Sequence, residues 1–486
     1  MTYLPGQTFI VRDGGMGVLA NGAVYPVVFG HCSGGTVNTL YLSNNQNSLR
    51  DTLGQGQAVE QALPLITEAG GCLVMKCAAS TAGVAGAVTK TAIGTSTGTI
   101  TVAGAPYDAY QVKVRIKATG ALGAGRFDYT REGLNATPAY SEELTIPSGG
   151  TYAIPNSNLT LTFVPGAGPT TFESGDYHVF ACTAPQYTTS DLATAFAAFL
   201  AALGKNDVKK VIFTGRSASG AAAATMAATI ATQMALLEAR HRWARAVMDA
   251  GNDTGANVKT AFATVSNNRL AVVFGTADIP TLNPQPGWGT PRFTAAFAFG
   301  ERWVGCDLSE NPGRVASGSL RVSAIQNDEN VSQQFLEADK INTLRTHDGE
   351  DGFYATNGFL KSASGSDFLY LDWGAVVDVG CRVTFETLQP WILRKVRTLT
   401  DGTGRIDPRD AERIQKAVTT KLRAAFKGPT VEGVPDMDHV TDLLFTVDLT
   451  NDVKTTRQLL YTLQLVPTIP IEGQVTSVGL TGSLAA

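Results

Sequence analysis

The sequence predicts a multidomain α/β (α+β) protein, with an α/β core built from N- and C-terminal parts, an inserted antiparallel β-sandwich and extended terminal arms. Three observations support this prediction. At 486 residues the chain exceeds what one hydrophobic core usually organises. Buried-strand runs alternate with helical patterns on both sides of residues 84–186, which is typical of a mostly parallel sheet. Within that segment, short strands lie between Gly, Pro and Asn turns.

The first 83 residues predict an arm and the start of the core. Residues 1–20 mix β-formers with Pro5, Gly6 and paired glycines, which predicts an extended N-terminal arm. In 21–83, YPVVFG predicts a buried strand, QAVEQALPLITEAGG a helix ending at Gly70, and CLVMK a second strand. The polar residues between the first strand and this helix predict a loop.

Residues 84–186 predict the inserted β-sandwich. Apolar and polar residues alternate along its strands, so that one face of each strand points to a core and the other to solvent. The alternation is clearest in two apolar series, Val112, Val114 and Ile116, and Leu159, Leu161 and Phe163.

Residues 187–345 return to the α/β rhythm. SDLATAFAAFLAALG predicts a helix with Ser190 as N-cap and Gly204 at its end. VKKVIFTG, RAVMDAG and RLAVVFG predict strands, separated by an Ala-rich helix over about 219–242 and by a helix in GANVKTAFATVS. The result is a parallel or mostly parallel sheet.

Residues 346–467 predict a C-terminal core domain. DFLYLDWGAVVDVGC predicts one or two strands, and CRVTFETLQPWILRKVRTL a helix. The clearest helix follows, with Asp407 as cap, Pro408 in its first turn and an apolar stripe. That stripe consists of Ala411, Ile414, Val418, Leu422 and Phe426. Leu459 to Val466 predict a strand, and 468–486 a second arm with too few large apolar residues to pack alone.

Composition excludes some functions. A net charge of −4 and a pI near 5.8 argue against a general electrostatic grip on nucleic acid. No run of 18 apolar residues and no signal segment is found, so we expect a chain that stays in the cytoplasm without membrane insertion. Charged residues are only 16% of the chain, which suits a protein covered by copies of itself, but also a weakly charged secreted monomer.

Cysteines and histidines show no metal-binding spacing. The cysteines lack a C-x-x-C pair and predict buried free thiols in a reducing compartment; they are Cys32, Cys72, Cys77, Cys182, Cys306 and Cys381. The histidines stand alone in the sequence and are His31, His178, His241, His347 and His439. We therefore predict neither a metal nor a cofactor.

One segment has the placement of a hydrolase nucleophile. GRSASG follows a predicted strand, but it has Ser219 where the G-x-S-x-G pattern requires glycine. A helix N-terminus capped by Ser217 or Ser219 is favoured, and an α/β hydrolase using Ser217 is a remote alternative. Asp249, Asp253 and Asp278 also follow predicted strands, where ligands often bind, but they lack partners and are interpreted as solvated loop residues. We predict no enzyme.

The predicted helix after Asp407 carries a local cationic surface on an acidic chain. Its cations are Arg409, Arg413, Lys416, Lys421, Arg423 and Lys427. A solvated helix face is the simpler interpretation. The alternative is a docking face for an acidic partner.

Segments along nearly the whole chain resemble the tail sheath family of contractile phages and related injection devices. The start is similar in its arm, R-D-G-G, V-V-F-G strand, S-G-G loop and LRDTLGQGQAVEQALPLITEAGG ahead of V-M-K. The insertion, with TITVAGAPYDAYQVKVRIKATGALGAGRFDYTREG and FESGDYHVFACTAP, is similar to a β-rich outer domain of some phage sheaths. The closing third, where FLYLDWGAVVDVGCRVTFETL leads into TGRIDPRDAERIQKAVTTKL, looks like the sheath core.

The resemblance implies a structural subunit of a virion tail sheath, assembled in the host cytoplasm. Hexameric rings would stack around an inner tail tube, between baseplate and tail terminator proteins, and contraction would drive the tube through the host envelope. The arms would add strands to the sheets of neighbouring subunits. The alternative is the sheath of a bacterial contractile injection system or pyocin-like particle.

The resemblance also assigns two sets of contact residues. The six cations of the helix would contact the inner tube. Strand exchange is expected at Phe9, Ile10, Val11, Ile471, Val475, Val478 and Leu480.

Overall fold

The computed structural model describes residues 24–167, 171–204, 207–282, 284–332, 335–428, 430–431, 434–435 and 439–469. The predicted arms 1–20 and 468–486 fall outside these residues, apart from Thr468 and Ile469. The chain divides into two units, Met1–Ala375 and Val376–Ala486. The finer domain limits remain predictions.

The elements of the first unit follow one another along the chain in two series. Those up to residue 186 are β1 (Val27–Gly30), β2 (Leu40–Ser43), α1 (Gln46–Leu53), α2 (Gln57–Ala69), β3 (Cys72–Lys76), β4 (Val84–Ala85), β5 (Thr89–Thr91), β6 (Thr99–Ala103), β7 (Gln111–Ala118), β8 (Arg126–Thr130), β9 (Leu144–Thr145), β10 (Thr151–Ile154), β11 (Leu159–Val164) and β12 (Tyr177–Thr183). The later ones are α3 (Thr189–Leu203), β13 (Lys210–Phe213), α4 (Gly220–Ala239), β14 (Arg245–Asp249), α5 (Gly255–Phe262), β15 (Leu270–Val273), β16 (Thr276–Asp278), β17 (Arg292–Thr294), α6 (Ala295–Gly305), β18 (Ala324–Ile325), α7 (Glu329–Ser332), β19 (Leu344–His347), β20 (Glu350–Ala355) and α8 (Leu371–Leu388).

The boundary between the units falls within α8. The second unit continues with α9 (Pro408–Ala425), β21 (Thr430–Val431), β22 (Val434–Pro435), β23 (Val440–Val447), α10 (Val453–Thr456) and β24 (Tyr461–Pro467).

A six-stranded sheet in the order β15-β14-β13-β1-β3-β2 organises the first unit. All of its pairings are parallel except that of β2 with β3. Val27 and Phe29 pack on one face with α3, α4 and α5, whereas Val28 packs on the other with α1 and α2. Because both faces are covered, the central strands are continuous apolar runs. The predicted mostly parallel sheet is confirmed.

The N-caps of α3 and α4 were both predicted from the sequence. The N-cap of α3 is Thr188 and not Ser190, because Thr188 and Asp191 form a reciprocal capping box. Its end at Gly204 is as predicted. α4 begins after Ser219, whose side chain accepts a hydrogen bond from the Ala222 N–H, so the capping interpretation of GRSASG is confirmed.

Among the described helices, α4 is long and apolar enough to cross a membrane by length and composition. One such helix is weak support for a membrane span, because the core helix of a globular protein passes the same test. Ala223, Ala227, Ile230 and Met234 on one side of α4 pack into the core of the central sheet. This packing accounts for the apolar residues on that side of the helix.

Residues 84–186 form two antiparallel sheets. One has the order β10-β11-β6, and in the other β12 pairs with β4, β5 and β7, followed by β8 and β9. The apolar series predicted to face inward is buried, at Val112, Val114, Ile116, Leu159, Leu161 and Phe163. These side chains share one continuous core with residues from the 247–371 segment, including Trp288, which packs edge-on against Tyr110 at 5.6 Å. The insertion therefore has no separate core of its own.

The predictions for the run DFLYLDWGAVVDVGC and for the segment before α2 are wrong. The run DFLYLDWGAVVDVGC forms helix α8 from Leu371 onward, not strands. Its glycines let neighbours approach closely: a Cβ at Gly374 would lie 2.5 Å from the Arg245 Cζ, and one at Gly380 2.7 Å from a Leu465 methyl carbon. The expected polar loop before α2 contains β2 and α1, which is capped by the Asn45 side chain.

Helix α9 follows its prediction. The Asp407 side chain accepts a hydrogen bond from the Arg409 N–H at 2.8 Å, and Pro408 is the first helical residue. The whole predicted stripe is buried, at Ala411, Ile414, Val418, Leu422 and Phe426. α9 packs on β23 through this stripe.

Candidate interaction surfaces

The second unit contains a two-stranded antiparallel sheet. β23 and β24 pair from Val447 opposite Tyr461 to Val440 opposite Pro467, and no other strand in the described part of the chain pairs with either. A two-stranded hairpin is only marginally stable in water on its own, and it is stabilised by further strands or by packing of one face against another element. Its free edges present unpaired N–H and C=O groups, which template the addition of another strand.

The two faces of this hairpin differ. Phe445 and Val447 are buried on the face that meets α9. On the opposite face Leu444 is 51% exposed and Val466 50% exposed, and Ile469 just beyond β24 is also exposed. Among the described residues, two apolar side chains of this otherwise polar face, Leu444 and Val466, are therefore accessible to a partner.

All six predicted cations of α9 and its C-terminal flank are exposed. Arg413 pairs with Asp410 at 3.4 Å. The other five, Arg409, Lys416, Lys421, Arg423 and Lys427, form no ion pair with any residue the structure describes. The apolar stripe holds the opposite side of α9 against β23, so the predicted cationic surface faces outward.

Residues 391–397 form a loop beside this surface, which we call the anchor loop. The sequence predicts a helix here, but α8 ends at Leu388 and only a short 3-10 turn, Gln389–Trp391, follows. Pro390 accounts for the break, since proline cannot donate the next helical hydrogen bond.

Arg397 fixes the anchor loop to α9. Its guanidinium donates to the Asp410 carboxylate at 2.9 and 3.3 Å, and its backbone N–H donates at 2.8 Å. These side-chain hydrogen bonds, with the backbone one, lower the pKa of Asp410 to about 2. The Trp391 ring lies beneath two guanidiniums, Arg394 at 4.5 Å and Arg413 at 5.1 Å. Sequence reasoning missed this pairing.

A family match covers most of the chain. The model described as DUF2586, N-terminal domain, matches residues 4–359. The chain belongs to the DUF2586 family. No curated protein matches it.

A solved structure shares the fold of this DUF2586 chain. A chain of the anti-feeding prophage (AFP) baseplate in its contracted state is 12% identical, with 99% of each chain covered and a TM-score of 0.51. At this identity the likeness shows a common fold, and it confirms the mixed α/β class.

Two further structures are similar at lower TM-scores. The sheath tail protein Lin1278 from Listeria innocua is 11% identical, covering 93% of this chain and 96% of its own, with a TM-score of 0.43. A chain of the six-fold symmetrised AFP baseplate is 14% identical, covering 62% and 76% respectively, with a TM-score of 0.41.

In this DUF2586 chain, the serine and the aspartates that the sequence suggested as candidate catalytic or ligand-binding residues can now be placed in the fold. Ser217 lines a cavity of about 20 Å³ with Arg216 and Asp249, and no histidine is among the described residues lining it. Asp249 and Asp278 are buried, so their interpretation as solvated is wrong. Arg292 binds Asp278 with two hydrogen bonds at 2.6 and 3.1 Å, and Asp253 accepts one from the Gly220 N–H at the start of α4.

Burial governs the thiols and His178. None of the six cysteines forms a disulfide, as predicted; five are buried as expected, whereas Cys381 is partly exposed. Burial raises the pKa of Cys32 to about 12 and lowers that of His178 to about 4. Within the described ranges, no group of three His, Cys, Asp or Glu is placed to hold a metal.

One larger cavity, of about 460 Å³, lies beside the end of α6. Its charged lining includes Glu301 and Arg321, which pair at 2.6 Å, and Arg302, which donates to three backbone carbonyls. These charges are satisfied within the first unit.

Proposed function

We propose that this chain is the structural, non-enzymatic subunit of a contractile tail sheath. It polymerises as hexameric rings around an inner tail tube and contracts to drive the tube through a host envelope. The observation that carries the proposal is the β23–β24 hairpin, neither edge of which pairs with another of the described strands. The fold shared with a chain of a contracted AFP baseplate supports it.

In this proposal the terminal arms complete the hairpin of a neighbour. Segments around Phe9–Val11 and Ile471–Leu480 add strands to its edges. Each backbone hydrogen bond contributes about 0.5–1.5 kcal/mol net. Several such bonds in a row keep neighbouring subunits connected while the subunits rotate during contraction. Because the contact joins different surfaces of the two copies, repetition generates a filament rather than a closed oligomer.

Contraction is a change of lattice in this proposal. Subunits assemble in an extended packing of higher energy, and release at the baseplate lets them pack more tightly. The driving energy comes from the interfaces between subunits. In this proposal the tail terminator protein binds the end of the sheath opposite the baseplate. The virion tail is assembled in the host cytoplasm.

The cations of α9 contact the inner tube in this assembly. Their exposure, without ion pairs for five of the six among the described residues, supports this role. The likeness to an AFP chain favours a second candidate of the same class, the sheath of a bacterial contractile injection particle.

Deletion of residues 470–486 tests the arm. The shortened chain should remain a folded, soluble monomer because every described residue is retained, yet it should form no tubes. Negative-stain microscopy and analytical centrifugation report both properties. Tubes of normal length from the shortened chain would falsify the arm assignment.

Charge reversal tests the tube contact. Lys416→Glu with Lys421→Glu should weaken co-assembly with inner tubes without changing the unfolding transition, and most strongly at low salt, because exposed charges are screened. The matched control is Lys113→Glu with Lys117→Glu, which makes the same change of charge on the outward face of β7. Equal co-assembly of both variants in a tube pelleting assay contradicts the assignment.

A further inference from the structure

The anchor loop exposes two adjacent apolar side chains. Leu393 is 99% exposed and Ile392 68% exposed. Single exposed apolar residues are common on protein surfaces. Here, however, Leu393 also has a φ of +61°, a left-handed conformation that is unfavourable for a branched side chain. The backbone thus holds an apolar side chain in water at a conformational cost.

The loop that carries this pair is fixed in place. Arg397 at one end is bound to Asp410 in the first turn of α9 by three hydrogen bonds. The Trp391 ring at the other end contacts the guanidiniums of Arg394 and Arg413. A fixed apolar tip loses little conformational entropy on binding, which favours a role in recognition.

The charge around the tip defines the kind of partner. Residues 389–428 contain ten Lys or Arg and four Asp or Glu, a net charge of +6, whereas the whole chain has −4. The rest of the chain is therefore at −10, and positive charge is concentrated on this surface. A partner that fits must be acidic and must offer an apolar recess at its centre.

We propose that the anchor loop inserts Leu393 and Ile392 into an apolar recess of an acidic inner tube protein. This inference rests on the proposed tube contact of α9. Arg413 links the two surfaces, since it lies on the cationic side of α9 and also over the Trp391 ring. A tube that covers α9 therefore also covers the anchor loop. Leu393 and Ile392 then form the desolvated centre of the contact, with the cations of the loop and of α9 at its margin.

The test compares two exposed leucines in the full-length chain. Leu393→Ser should weaken binding to preformed tubes of the inner tube protein at least about tenfold in a pelleting titration, as loss of a central apolar contact does. The control is Leu134→Ser, a 58% exposed leucine of the inserted segment, which should change binding less than about twofold. Both variants should form sheaths without inner tubes as the wild type does.

Three results overturn the inference. Wild-type tube affinity of Leu393→Ser shows that the tip is not a contact. Loss of sheath formation by Leu393→Ser in the absence of inner tubes shows that the loop contacts a second copy of the chain instead. A wild-type chain that forms neither sheaths nor tube complexes overturns the proposed function, and the inference with it.

Discussion

The two units differ in how completely the backbone hydrogen-bonding groups of their strands are paired among the described residues. In Met1–Ala375 a six-stranded sheet lies between helices on both faces. In Val376–Ala486 a two-stranded sheet meets α9 on one face, and no further described strand pairs with its edges. The sheet of the first unit is therefore covered within that unit, whereas in the proposed assembly the hairpin of the second is extended by strands of other chains.

Charges show the same difference. In the first unit the buried carboxylates Glu60 and Asp278 pair with Arg50 and Arg292 at 2.8 and 2.6 Å. In the second, one carboxylate, Asp410, positions two arginines, and the remaining cations of α9 point to solvent. Paired buried charges fix a fold, whereas exposed charges of one sign select and steer a partner. Three variants, one of them a double substitution, test this comparison.

Phe29→Ala should have the largest effect on stability. Phe29 lies in the central strand and contacts the rings of Phe196, Phe199 and Phe213, each at a centroid distance of 5.2 Å. Truncating such a residue leaves a cavity and costs about 3–5 kcal/mol of unfolding free energy. Chemical denaturation followed by circular dichroism measures it. A cost below about 1 kcal/mol would mean that the first unit is not held by this core.

Asp249→Asn should have an intermediate effect that depends on pH. Burial raises the pKa of Asp249 to about 7. The folded protein therefore keeps a neutral acid while the unfolded chain ionises, and the unfolding free energy falls as pH rises from about 4 to 7. Asparagine removes this dependence and should stabilise the first unit at pH 8 by about 1–4 kcal/mol, with little change at pH 4.

Denaturation midpoints at pH 4.5, 6 and 8 measure the difference between the variant and the wild type. Asp253→Asn is the control, because hydrogen bonds from Asn257, Gly220 and Thr254 lower the pKa of Asp253 and leave it ionised throughout that range. If both variants have the same pH profile, Asp249 is not a buried neutral acid.

Leu444→Ser with Val466→Ser should have the smallest effect on the monomer. Both side chains are about half exposed on the open face of the hairpin, so the unfolding free energy should change by less than about 0.5 kcal/mol per site. In the proposed assembly sheath formation should nevertheless decrease, because side chains of the strands added at the edges lie beside Leu444 and Val466 on the same face. Unfolding curves and electron microscopy of the same samples separate the two effects. A large loss of monomer stability would show that the hairpin is already complete.

The sequence was informative where local signals agreed. Central strands such as β1 are continuous apolar runs, and α9 has a cap, a proline in its first turn and a stripe at helical spacing. In α1 only Leu49 and Leu53 are apolar, so the periodicity is too weak to distinguish the helix from a loop. In α8 the residues Val376, Val377 and Val379 favour a strand, and packing overrides that preference.

The candidate surfaces were predicted in part. The six cations of α9 could be found from helical spacing alone. The pairing of Arg397 with Asp410 joins residues in different elements, and no spacing rule connects them. Pro390 was the available signal that the helix must stop before the anchor loop. The exchange residues Phe9, Ile10, Val11, Ile471, Val475, Val478 and Leu480 lie outside the described residues, and their role remains a proposal.

The uneven burial of the thiols gives the protein a natural labelling site. Cys381 is the only one of the six cysteines that is partly exposed, and it lies on α8, near Tyr461 at the start of β24. A maleimide fluorophore should therefore attach there first, while the buried thiols stay protonated and unreactive. Because the dye would sit beside the hairpin, its emission could follow the arrival of a foreign strand in real time, without any engineered residue.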